Sequence, residues 1–144
     1  MSKYGWMGCC AVLVLALAFT GCATTQSQAK MTPEEQVSAA VTKWKDGVLS
    51  KDVPTMMVSY SEHFTHPELG DKAGVQSYLD EAKAAGYLEG IEVDTTRAKI
   101  EVDGEKAVVY PIDINGSFGS IVYELSFTKE GDAWMITGTS ASGV

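Results

Sequence analysis

Hydrophobic and polar positions divide the chain into three stretches. An apolar run from about Met7 to Phe19 comes first, with Lys3 as the only charge before it. A polar stretch follows, "ATTQSQAK" from Ala23 to Lys30. It has no apolar period and reads as a tether. From Thr32 onward apolar residues recur at helical spacing, and after Gly90 at strand spacing.

The helical part begins with a capping box. Thr32 caps, Pro33 takes the first turn, and Glu35 lies three residues after Thr32. Val37, Ala40, Val41, Trp44 and Val48 then share one face, with Gly47 and Ser50 suggesting the end. Asp52 caps a second predicted helix with Pro54 in its first turn, and Met56, Met57, Tyr60 and Phe64 supply its apolar side. "HPELG", residues 66–70, interrupts, since Pro and Gly break helices. Asp71 or Lys72 opens a third helix. Val75, Tyr78, Leu79, Ala82 and Ala85 line one side of it, and Gly86 stops it.

The strand part starts with "IEVDTTRAKIEV", broken near Thr95. Asp103-Gly104 is a two-residue hairpin signal. Lys106 to Ile114 is the next strand, and Pro111 within it implies an edge or a bulge. Asn115-Gly116 marks another turn. Ser120 to Thr128 follows, with Ile121, Tyr123, Leu125 and Phe127 on one face. Gly131-Asp132 turns the chain into the last strand, Ala133 to Ser140, where Trp134 and Ile136 point the same way. Three helices followed by a four-stranded antiparallel meander is an α+β arrangement.

The leading apolar run is too short to span a hydrocarbon core, which takes roughly 20 residues. Its length suits the apolar region of a secretory signal peptide. The boundary "AFTGC" resembles the lipobox of bacterial lipoproteins over Phe19, Thr20, Gly21 and Cys22, with Phe19 standing where leucine is usual. The resemblance implies cleavage before Cys22, a diacylglyceryl group on its thiol, and further acylation, for example by palmitate, of the freed amine. One acyl chain anchors only marginally, whereas two or three hold a protein on a membrane. Ala23 in place of Asp resembles an outer-membrane destination facing the periplasm of a Gram-negative cell. An ordinary signal peptide cut at another small residue is the alternative. The expected organisation is a signal peptide over 1–21, a lipidated tether over 22–31 and one domain over 32–144.

The cysteines fit that organisation. Of Cys9, Cys10 and Cys22, cleavage removes two and lipidation occupies the third. The mature chain then has no thiol for a disulfide, a nucleophile or a thiolate metal site. The formal charge of −8 becomes −9 once Lys3 leaves with the leader. The acids are scattered and no basic stripe exists, which excludes nucleic acid as a partner. Membrane attachment is therefore assigned to the lipid on Cys22.

The domain resembles the NTF2-like superfamily, including its SnoaL-like and ketosteroid-isomerase-like branches. The resemblance rests on element order, on "YSEHFTHPELGDKAGVQSYL" (residues 60–79) and on "AWMITGTSAS" (residues 133–142). It implies about three helices packed on a strongly curved antiparallel sheet of four or more strands. The cone so formed often holds a pocket, and the outer sheet face often makes a homodimer.

Two residues are candidates for chemistry. His66 falls where family members place a pocket residue, and an imidazole can accept or donate a proton at neutral pH. The competing reading is a histidine bonded to nearby backbone before Pro67. Asp113, in the apolar "AVVYPIDI", could act as a base if it faced the cone. Strict alternation instead places Val108, Tyr110, Ile112 and Ile114 inside and Asp113 outside, solvated, unless a bulge at Pro111 changes the count. Trp44 stands where the isomerase branch has a tyrosine, so the catalytic set is incomplete. His63 and His66 form H-x-x-H, but a zinc shell needs three or four ligands, and the mature chain is expected to offer no third His and no free Cys; neither a metal nor a cofactor is expected. Tyr60, Phe64, His66, Tyr78, Tyr110, Tyr123 and Trp134 are the expected pocket lining. The resulting expectation is an envelope-facing lipoprotein that binds a small apolar ligand or a protein partner. A SnoaL- or isomerase-like enzyme using His66 or Asp113, and a structural dimerisation module, are the alternatives.

Overall fold

The structure, a computed structural model, describes residues 30–143. The signal peptide, the lipobox and Cys22 lie outside the described residues. Helix α1, Pro33–Ser50, forms as its capping box dictates: Thr32 Oγ1 accepts from Glu35 N, and Glu35 returns the bond to Thr32 N at 2.7 Å. It ends at Lys51, whose left-handed φ of 55° closes the last turn. It buries Val37, Val41, Trp44, Gly47 and Val48. No helix among the described residues is long and apolar enough to cross a membrane.

Helix α2, Val53–Met57, is a single turn capped by Asp52. Here the structure departs from the helical reading. Tyr60 and Phe64 lie beyond α2, in a segment that runs alongside the last strand. Ser61 N donates to Ile136 O at 2.9 Å, and Ile136 N donates to Ser59 O at 2.9 Å. Pairing with the sheet replaces helix continuation. Helix α3, Lys72–Ala84, is capped by Asp71 and buries Val75 and Ala82. Ala85 lies outside the helix and exposed.

Five strands form one antiparallel sheet: β1 (Glu92–Asp94), β2 (Lys99–Asp103), β3 (Lys106–Gly116), β4 (Gly119–Glu130) and β5 (Ala133–Gly143). The order is β1-β3-β4-β5, and β2 also pairs with β3. The segment broken near Thr95 thus supplies two short strands to one edge. Two turns fall later than the Asp103-Gly104 and Asn115-Gly116 signals suggest. Asp103 pairs with Lys106, leaving Gly104-Glu105 as the loop, and Gly116 pairs with Gly119, leaving Ser117-Phe118. Gly104 and Gly131 have φ of 60° and 63°, as the first position of a tight two-residue hairpin turn requires.

The register of β3 shifts between Val109 and Ile112, so Tyr110 and Pro111 together oppose Glu124. This bulge sits at Pro111 and changes the parity of the strand. Ala107 and Val109 face the core before it; Ile112 and Ile114 face the core after it. Val108 and Tyr110, assigned to the interior by strict alternation, are exposed instead. The core lies between α1, the 59–65 segment and the concave sheet face, around Phe64, Ile112, Leu125, Phe127 and Ile136.

Candidate functional site

Three elements converge inside the cone. Trp44 comes from α1, Tyr60 and Phe64 from the segment along β5, and Tyr123 from β4. Trp44 stacks on Tyr123 with ring centroids 5.9 Å apart and planes 5° apart. Tyr60 meets Phe64 edge to face at 5.4 Å. Trp44 Nε1 donates to the Tyr60 hydroxyl at 3.3 Å. Tyr123 has Tyr60 and Thr139 as neighbours. The Trp44 indole N–H thus has an acceptor within an apolar surround, as a buried polar group must. Burial pushes the Tyr60 phenol far above its ordinary value of 10.0, and the neighbouring Tyr123 adds to the rise. Burial likewise raises Tyr123. Both phenols stay protonated, as hydrogen-bonding groups rather than bases.

His66 is half-buried and stacks on Phe64 at 6.5 Å. Its Nδ1 accepts from Glu68 N and Leu69 N, both at 3.1 Å, and its backbone pairs with Gly70. The ring proton is thereby assigned to Nε2. The imidazole pins the "HPELG" turn, and its Nδ1 lone pair is engaged. His63 is exposed; its Nδ1 lies 3.5 Å from Glu130 Oε1, which also accepts from Ser61 Oγ at 2.5 Å. Among the described residues no group of three His, Cys, Asp or Glu side chains is placed to hold a metal ion.

Asp113 sits on the outer sheet face after the bulge. Arg97 grips it with Nε to Oδ2 at 3.0 Å and Nη2 to Oδ1 at 2.6 Å. The bond to Asp113 in turn holds the Arg97 proton more tightly than usual. The carboxylate belongs to an ion pair outside the cone rather than lying free in solvent. Tyr78 and Tyr110 line no interior: they are 56% and 48% exposed. The β3 bulge keeps Tyr110 outside.

Sequence reasoning passed over a second feature. A groove of about 300 Å³ opens beside the start of α1, against the β4–β5 turn. Met31, Ala39, Ala40, Val58, Trp134 and Met135 form its apolar walls. Gln36 crosses it, accepting from Trp134 Nε1 at 3.2 Å and donating to Met31 O at 2.9 Å. Of this set only Trp134 was a candidate from sequence. Gln36 lies beside the buried stripe of α1, where a polar residue carries no signal of its own.

No family model matches the chain, and no curated protein matches its sequence. Solved structures do match its shape. An NTF2-like family protein from Streptomyces avermitilis is 21% identical, with a TM-score of 0.63 over 77% of this chain and 95% of that one. The fold is NTF2-like. Bd1075 of Bdellovibrio bacteriovorus is 19% identical with a TM-score of 0.65; the match takes in 75% of this chain but only 40% of the Bdellovibrio chain. The S. rosetta CaMKII hub is 14% identical, with a TM-score of 0.63 over 80% of this chain and 99% of the hub. Inside the NTF2-like cone aromatic side chains pack on one another, Trp44 on Tyr123 and Tyr60 on Phe64.

Proposed function

We propose that this chain is a lipid-anchored, envelope-facing NTF2-like module that works by binding rather than by catalysis. The observation that carries the reading is that, among the described residues, no candidate base stands free in the cone. His66 Nδ1 is held by two backbone amides, Asp113 is held by Arg97 outside, and the Tyr60 hydroxyl accepts from the Trp44 indole. General acid–base work needs a group within reach of substrate with a lone pair or proton to exchange. The lipobox-like "FTGC" supports the anchor, and the single NTF2-like unit that follows the tether supports a binding domain held near a membrane.

A second copy of the chain is one candidate partner. The outer sheet face carries Val108 and Tyr110 exposed, and one structure of this shape is a hub. Intact and native mass spectrometry of protein extracted from membranes tests both halves of the reading. The expected masses are residues 22–144 plus acyl chains, and a larger species holding a second subunit, a partner or an apolar molecule. An uncut or unmodified chain overturns the anchor. A lipidated chain that never carries added mass overturns the binding function.

A further inference from the structure

The groove beside α1 lies outside the cone and is left open by the fold. Its lining residues Met31 and Val58 are 48% and 53% exposed, and Lys43 and Asp132 also border it. Ser59 also lines it, and Ser59 Oγ is the one buried side-chain polar atom without a partner among the described residues. The groove also lies where the tether enters the domain. Gln36 ties the Met31 carbonyl to the Trp134 indole, so the chain emerges across the groove mouth.

Cys22 lies nine positions before Met31. Nine residues reach at most roughly 30–32 Å when extended. A group on Cys22 is thus within covalent reach of the groove. The charge of the chain speaks against attraction to an anionic surface, so the apolar walls are the part of this face suited to lipid.

We propose that the groove receives an acyl chain carried by Cys22. This rests on the lipidation of Cys22 proposed above. The occupied groove sets the orientation of the domain: the start of α1 and the Gly131-Asp132 turn face the membrane. The Ser117-Phe118 hairpin, at the other end of β4, faces away. Twelve strand residues separate the two ends by roughly 40 Å.

Thiol accessibility tests this. The lipidated protein has no thiol of its own, so one introduced cysteine reports alone. Val58→Cys probes the rim, Ala39→Cys the opposite wall, and Leu49→Cys, exposed near the far end of α1, serves as the control. Maleimide labelling is timed for the lipidated chain in phosphatidylethanolamine–phosphatidylglycerol nanodiscs. The reference is the chain from residue 22 with Cys22→Ser, made without the leader, mixed with the same nanodiscs. Lipidation is expected to slow Val58→Cys and Ala39→Cys about tenfold and Leu49→Cys less than twofold. A lipidated chain whose groove positions label as fast as the reference, or in which all three slow alike, overturns the groove assignment and leaves the anchor standing. A mass without acyl groups on the same sample overturns the anchor and this inference with it.

Discussion

Gln36 and Trp134 are 98 residues apart in sequence and joined at 3.2 Å, side chain to side chain, on the rim of the groove. The same amide holds the Met31 carbonyl, so one side chain fastens the chain just before α1 to the start of β5. Replacing Gln36 with Ala removes both bonds and leaves the indole N–H of a buried tryptophan unpaired. The expected loss is about 1–2 kcal/mol in urea unfolding. Cleavage after Lys30 by trypsin should also accelerate, because Met31 is no longer held.

The Tyr60 and Tyr123 phenols give an alkaline signature. Folding raises the Tyr60 and Tyr123 values above 10.0, so the stability they contribute is complete below pH 10 and falls as pH rises above it. Ultraviolet titration of the native protein should therefore lack two phenolates near pH 10, which appear only on unfolding. Tyr60→Phe should leave one missing and shift alkaline unfolding to higher pH. A full complement of phenolates in the folded chain would contradict the closed cone.

At the acid end the relevant groups are caps. The Thr55 hydroxyl, and then the Thr55 amide, hold Asp52 below its ordinary value of 3.8. The Thr96 amide does the same for Asp94. A depressed carboxyl contributes stability above its unfolded value and loses it as pH falls through the folded one. Asp52→Asn keeps a good capping side chain but cannot titrate. Its urea midpoint should match the parent at pH 7 and fall less steeply below pH 4.

Gly74 separates packing from propensity. It lies in the first turn of α3, where alanine favours a helix. A Cβ there would sit 1.7 Å from the Leu69 carbonyl oxygen. Gly74→Ala should therefore cost about 1–3 kcal/mol, the range for forced overpacking, in place of the small gain expected of an open helical site. Thermal unfolding followed by circular dichroism reads the difference directly.

Much of the fold was legible because it is local. The Thr32-Pro33-Glu35 box, the Asp52 and Asp71 caps and the Gly131-Asp132 turn act through residues three or four apart, and each stands where the sequence places it. Tyr60 and Phe64 were misassigned to a helix because the competing interaction, pairing with β5, lies more than seventy residues away. Pro111 was legible as a disturbance of β3. Local pattern carries no information on which strand residues share one partner across a bulge, so the facing of Val108 and Tyr110 was decided in the sheet.

By itself the sequence determined the class of fold, the punctuation of its elements, the scarcity of cysteine and the absence of a basic surface. Each follows from composition or from periodicity along the chain. The tertiary structure decided what the candidate residues do. It turned His66 onto two backbone amides, paired Asp113 with Arg97 outside the cone, stacked Trp44 on Tyr123, and opened a groove between Met31, Val58 and Trp134. Those outcomes depend on distances between elements remote in sequence. Such distances are set by how the curved sheet closes on α1, which no local pattern contains.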